Sequence, residues 1–298
     1  MGASMMHSAF TVLLPDRNLD EVFQLLGRLG YDGVELRVKE DYHVAPDQLL
    51  SRVGRLRVLM SRTGLEVPVL GTYLPVTDLE KLLPVFEAAD RLSARGVRVS
   101  LGPPLDGTRS YWDVLAEAQR GVEALVKAIQ PFQAKALFEI HFRTAIASPS
   151  LAYLLLKPFD PARVGVIYDP ANMIIEGRED WRLGLEVIGD YLAHVHVKNT
   201  AWYREGGWAW RWEELDAGIV DWQEMVQVLS AHSYAGYLSN ENLSGVVLPG
   251  ATGFVGETLS QATGQTAQPI EAKLRDDLLY LKGLERKAEA VGSQGSPS

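Results

Sequence analysis

The chain has 298 residues, 47% hydrophobic and 22% charged, which is the make-up of a soluble globular protein long enough to bury a substantial core. Its 38 acidic and 29 basic side chains leave a net charge of −9, a field that repels phosphate backbones and argues against nucleic acid as a partner. The absence of cysteine excludes disulfides, thiolate metal sites and a cysteine nucleophile, and it suits a reducing, cytoplasmic setting.

The opening MGASMMHSAF has no basic region followed by an apolar run, so no secretory signal is expected. No stretch approaches the roughly 18 consecutive apolar residues of a membrane span, so no membrane partner is expected either. From there, short apolar runs alternate with stretches of helical period. The first run covers residues 9–14, and a helix follows from Asn18, with Glu21 completing a capping box and Gly30 closing it. A second run at 33–38 precedes a helix that opens with Pro46 in its first turn and ends at Gly64. The third run is 65–70. Thr77 and Glu80 form another capping box, Pro84 is expected to kink the helix, and the fourth run, 97–101, leads to a helix over about 110–130.

The second half repeats the scheme, with apolar runs at 136–140, 164–168, 193–197 and 237–239 and helical patterns at 149–156, 179–188, 222–230 and 271–286. Strands covered on both faces read as continuous apolar runs, and their alternation with helices implies a parallel sheet. Eight strand–helix pairs close naturally into a single α/β domain, a (β/α)₈ TIM barrel over residues 1–290, with 291–298 too small and polar to pack. An open doubly wound sheet is the runner-up, but no GxGxxG follows the first strand. Two stretches read as long loops: 200–220, with Trp202, Trp208, Trp210 and Trp212, and 244–269, rich in Gly, Thr and Ser. The tryptophans would build an apolar lid over a sugar or bury against a second copy of the chain in a homo-oligomer.

Active groups in such a barrel stand at the C-terminal ends of the strands. There the fifth strand ends in FEIH (Glu139, His141), the sixth in YDPAN (Asp169, Asn172), the seventh reads HVHVKN (His194, His196, Lys198), and the eighth ends in SNEN (Glu241). Glu139, Asp169, His196 and Glu241 make a three-oxygen, one-nitrogen set suited to one divalent ion: Mn²⁺, Mg²⁺ or Co²⁺, with Zn²⁺ also in range. Without an ion, three carboxylates at one mouth repel each other. His194 reads as structural, because one imidazole completes the set. His141, Asn172, Lys198, Glu35 and Trp202 are the candidates for substrate contact, with Glu35 alternatively holding Lys198.

DGVEL at 32–36, FEIH, YDPAN, HVHVK and the terminal Glu241, taken in order, resemble the sugar phosphate isomerase/epimerase family of xylose-isomerase-like barrels, over nearly the whole chain. In the ketose 3-epimerase branch four metal ligands come from strands five to eight. The resemblance places these on Glu139, Asp169, His196 and Glu241, and makes the two glutamates an acid–base pair on a small carbohydrate-like substrate. It implies a metal that polarises a carbonyl while one glutamate removes the neighbouring proton and the other returns it. Asn172 stands where that branch has histidine, and Trp202 where it has arginine. The endonuclease IV branch needs histidines after strands three and four, where this chain has GTYLP and SLGPP. Isomerisation or epimerisation is the reading. A dehydratase of an inosose- or dehydroshikimate-like ketone on the same site is the first alternative, and an inactive binding barrel the second.

Overall fold

The computed structural model describes residues 4–102, 108–204, 206–246 and 269–294. The barrel strands are β1 (Met6–Phe10), β2 (Gly33–Val38), β3 (Val69–Pro75), β4 (Gly96–Ser100), β5 (Lys135–Glu139), β6 (Val164–Tyr168), β7 (Leu192–Val197) and β10 (Tyr237–Asn240). Each pairs in parallel with its neighbours, and the ring closes in the order β1, β10, β7, β6, β5, β4, β3, β2. Outside lie α1 (Leu19–Leu29), α2 (Pro46–Thr63), α3 (Leu79–Leu92), α4 (Tyr111–Ala128), α5 (Pro149–Leu156), α6 (Pro170–Glu176), α7 (Trp181–Ile188), α8 (Trp222–Ala231) and α9 (Ile270–Gln294). No helix among the described residues is long and apolar enough to cross a membrane.

Local chemistry sets most boundaries where the sequence places them. Asn18 accepts from the Glu21 backbone while the Glu21 carboxylate accepts from the Asn18 backbone, a reciprocal cap of which the Asn side chain alone contributes about 1 kcal/mol. Gly30 ends α1 and Gly64 ends α2, each in the left-handed region at φ 84° and 75°. The cap of α3 is Asp78, not Thr77: its carboxylate accepts from the Lys81 backbone, and the helix runs on through Pro84.

Four expectations need correction. β1 lies earlier than expected, because Thr11–Leu13 folds as a 3₁₀ turn and not as strand. β3 lies later, starting only after Pro68, whose missing N–H cannot join the ladder. The stretch after β7 is not a structureless loop: β8 (Asn199–Arg204) and β9 (Trp208–Glu213) form an antiparallel hairpin with Trp202 opposite Trp210. Helix α9 extends to Gln294, into the expected tail. Most of the 244–269 stretch and residues 295–298 lie outside the described residues.

Inside the barrel, Val69, Leu137 and Ile167 form an apolar floor. Gly96 is required there, since a Cβ at that position would lie 2.5 Å from Leu137 Cδ1. Above the floor the interior turns polar. Period-2 alternation puts Glu35 and Arg37 of β2 on the same inward face, Glu139 two residues beyond Leu137, and His194, His196 and Lys198 in one row.

Candidate active site

Four side chains from consecutive strand ends converge. Glu139 ends β5, Asp169 follows β6, His196 lies in β7, and Glu241 follows β10; each is buried, and one donor atom from each lies within 4.8 Å of all the others. His196 Nδ1 is 3.1 Å from Glu241 Oε2, 3.5 Å from Glu139 Oε1 and 3.6 Å from Asp169 Oδ2. Its other ring nitrogen, Nε2, lies 3.0 Å from Glu35 Oε1, which orients the ring and aims Nδ1 at the three acids. The Phe10 ring stacks on His196 at 5.8 Å. Gly71 makes room for it, because a Cβ there would sit 2.8 Å from Phe10 Cε2.

Asp169 does two jobs through its two oxygens. Oδ1 accepts from the Asn172 backbone at 2.9 Å and caps α6, with Pro170 next in line, while Oδ2 points into the cluster. His196 Nδ1 is buried and makes no hydrogen bond, and the Asp169 Oδ2 beside it faces only the Lys198 ammonium, at 2.7 Å. Buried nitrogens are rarely left so, and one that faces three carboxylates gathered round a single ammonium is what a cation site looks like before the cation binds. The cluster could therefore hold a divalent metal ion through Glu139, Asp169, His196 and Glu241.

Lys198 provides the countercharge. Its Nζ lies 2.6 Å from Glu241 Oε2, 2.7 Å from Asp169 Oδ2 and 3.8 Å from Glu139 Oε1. Burial alone would lower the Lys198 pKa, but these three acids push it well above the ordinary range. Burial alone would raise the Glu241 pKa, but Lys198 and His196 hold it down at about 2. Glu139 is held well below the carboxylate range in the same way: burial opposes, and Arg98, His196 and Lys198 prevail. His196 is pushed up by Glu35 and the acids against its own burial. Both glutamates are thus ionised at neutral pH.

The mouth above the cluster opens into a cavity of about 590 Å³ whose walls include Glu139, Glu241, Lys198, His141, Arg37, Arg98, Tyr73 and Trp212. Asp169 and His196 sit below, fully buried, so of the four only the two glutamates reach the cavity wall. His141 lines it, donating from Nδ1 to Phe142 O at 2.8 Å. Lys198 lines it too, with Nζ 5.1 Å over the Trp212 ring.

The other expected substrate contacts are placed differently. Asn172 is fully buried and donates to Glu139 Oε1 at 3.1 Å and to Ile140 O at 3.2 Å, so it holds the glutamate and does not line the cavity. Glu35 neither reaches substrate nor holds Lys198. It is fully buried and takes hydrogen bonds from His194, His196 and Ser239, a brace beneath the cluster. Trp202 turns away, its indole N–H bonding Ile174 O at 3.1 Å, while Trp212, on the partner strand, forms cavity wall. His194 lies in that brace, its Nε2 3.0 Å from Glu35 Oε2. Arg98 went unnoticed in the sequence: its Nη2 lies 2.5 Å from Glu139 Oε2, and its pKa is raised despite burial, chiefly by Glu139. A lone cation in the apolar run GVRVS was the signal for it.

Comparison with solved structures places this architecture among known barrels. The chain is similar to 3-keto-D-glucoside 4-epimerase YcjR from E. coli (TM-score 0.69, 19% identity, 94% of this chain and 100% of that one). It is also similar to a D-psicose 3-epimerase (0.73, 13%, 94% and 99%) and to a probable 3-DHS dehydratase, AsbF, from Bacillus anthracis (0.70, 16%, 93% and 99%). At such identities the likeness is one of fold. No curated protein matches in sequence. A family model described as the xylose isomerase-like TIM barrel matches residues 23–255, the span that carries every strand from β2 to β10 and all four clustered residues. The closed barrel, the strand-end acids and that match agree, and the chain belongs to the xylose isomerase-like TIM-barrel family.

Proposed function

We propose that the protein is a divalent-metal-dependent isomerase or epimerase of a sugar or related polyhydroxylated ketone, with Glu139 and Glu241 as the proton-transferring pair. The observation that carries this reading is the division of labour in the cluster. All four donors face one point, yet only Glu139 and Glu241 reach the cavity where a substrate would lie. When bound, the ion supplies Lewis-acid stabilisation of negative charge developing on the substrate's carbonyl oxygen.

The chain's own residues do the rest. Glu241 Oε2 is held by Lys198, and Oε1 has no partner among the described residues, so one oxygen is free to accept a proton. Glu139 is fixed by Asn172 on one oxygen and Arg98 on the other. One glutamate takes the proton from the carbon beside the carbonyl, and the electron pair moves to the carbonyl oxygen to give an enediolate. The other glutamate, having taken up a proton from solvent, returns it to carbon. Return to the opposite face of the same carbon is epimerisation, and return to the neighbouring carbon is isomerisation. Each positioned group of this kind contributes about 10²–10⁴-fold in rate. Trp212 and Phe142 shield the mouth, which strengthens every charge interaction within it.

Solvent deuterium uptake into a ketose panel, with Mn²⁺ present, tests the assignment. Wild type is expected to exchange one carbon-bound hydrogen without loss of water, and Glu139→Gln and Glu241→Gln are each expected to lower exchange by at least about a hundredfold with the fold intact. Near-native exchange in either variant, or elimination of water as the main event, overturns it.

A further inference from the structure

Arg37 has no role in the chemistry above, and its surroundings are unusual. It stands two residues beyond Glu35 on the inward face of β2 and lines the cavity. Its guanidinium carbon lies 4.3 Å from the centre of the Tyr42 ring and 5.0 Å from that of Tyr73. Tyr42 is itself anchored, donating from Oη to Val12 O at 2.7 Å. Tyr73 also carries Arg98 at 4.7 Å, so one phenol ring carries both guanidiniums, and Arg98 is the one paired with Glu139. Arg37 has no carboxylate within ion-pair distance among the described residues, and its Nε is buried without a hydrogen-bond partner. A cation pinned between two aromatic faces, aimed into a cavity and left without an anion, is preorganised for a ligand's charge.

The charge balance points the same way. Glu35, Glu139, Asp169 and Glu241 face Arg37, Arg98 and Lys198, which leaves one formal negative charge. The divalent ion of the proposed site turns this into one positive charge. A neutral sugar would leave the charge unbalanced in a partly desolvated cavity.

We infer that the substrate carries a carboxylate, bound by the Arg37 guanidinium at the end of the molecule remote from the metal-binding residues, so that the protein acts on a sugar acid and not a neutral sugar. This rests on the proton-transfer reading for the reacting end alone. A single forked guanidinium matches the two oxygens of a carboxylate, whereas a phosphate dianion calls for more donors than the one cation left unpaired here.

The test is calorimetric binding and solvent-deuterium exchange on the Mn²⁺-supplemented protein with three probes of matched skeleton: D-fructose, D-fructuronate and D-fructose 6-phosphate. Wild type is expected to bind fructuronate best. Arg37→Met, with Mn²⁺ affinity and circular dichroism as controls on folding, is expected to weaken fructuronate binding about tenfold to a hundredfold and to leave fructose unchanged. Arg37→Lys should recover part of the loss. Equal affinity for fructose and fructuronate, preference for the phosphate, no binding of any probe, or a uniform loss in Arg37→Met overturns the carboxylate inference. Exchange on fructose with no preference for fructuronate would remove the inference and leave proton transfer standing. Arg37-dependent binding with no exchange at any carbon would remove proton transfer and leave the carboxylate pocket standing.

Discussion

His196 belongs to two acidic clusters, and the two are built to opposite rules. On its Nε2 side every group is satisfied: Glu35 takes hydrogen bonds from His196, His194 and Ser239 and has no solvent contact. On its Nδ1 side, three carboxylates crowd within 4.8 Å around one ammonium, that of Lys198, and His196 Nδ1 makes no hydrogen bond. A saturated buried network rigidifies, and an unsaturated one waits for something to bind. The contrast separates a brace from a site, although both contain an acid and a histidine at similar depth.

The comparison breaks most completely at the shared residue. His196→Ala is expected to abolish Mn²⁺ binding and also to cost about 3–5 kcal/mol of stability, because Glu35 loses a partner it was buried with. Mn²⁺ titration and chemical denaturation read the two losses separately, and a variant that lost only the metal would show that the brace does not depend on this ring. Next in size is Lys198→Met. Since Nζ lies 2.6–2.7 Å from oxygens of two donors, a bound cation must displace it. The metal-free variant should unfold at lower temperature than wild type, and added Mn²⁺ should raise its melting point by more than it raises that of wild type. Equal increments would mean that Lys198 and the ion do not compete.

Glu35→Gln sharpens the brace side, with an expected loss of about 10–100-fold in Mn²⁺ affinity and a preserved far-ultraviolet spectrum. It also carries a pH signature. Burial would raise the Glu35 pKa, but His196 and His194 lower it below the ordinary value. A carboxylate with a depressed folded pKa stabilises fully above its unfolded value of 4.5, and that contribution is lost as pH falls below it. The melting temperature of wild type should therefore fall more steeply between about pH 5 and 3 than that of Glu35→Gln, and parallel profiles would contradict the brace. The smallest effect is expected at Trp202, which faces away from the cavity. Trp202→Phe should leave exchange activity within about twofold, and a larger loss would return it to the substrate site.

Much of this was legible in the residues. Alternation of apolar runs with helical period is a strong signal for eight repeats, and strand parity alone aligns His194, His196 and Lys198. The four donors were legible because acids and imidazole at strand ends have few other reasons to be there. What parity cannot show is who reaches across the barrel. Glu35 of β2 and the histidines of β7 meet through the interior, a contact of sequence separation 159 and 161 that no local pattern contains. Arg37 and Arg98 are less legible for a plainer reason: each is a single cation in an otherwise apolar strand, with no spacing to mark it. The hairpin is written in the spacing of the tryptophans, not in their number. Trp208, Trp210 and Trp212 alternate with period 2, and Gly206–Gly207 stands between the two arms.

The central claim, that Glu139, Asp169, His196 and Glu241 grip one cation, is tested most directly by calorimetric titration of chelator-stripped protein with Mn²⁺, wild type against Asp169→Asn. Asparagine is as good a helix cap as aspartate, so α6 keeps its first turn and only the Oδ2 charge is lost. The account predicts one ion per chain in wild type and affinity at least about a hundredfold lower in the variant, a gap of roughly 2.7 kcal/mol. No binding by wild type, or equal binding by both proteins, would contradict it.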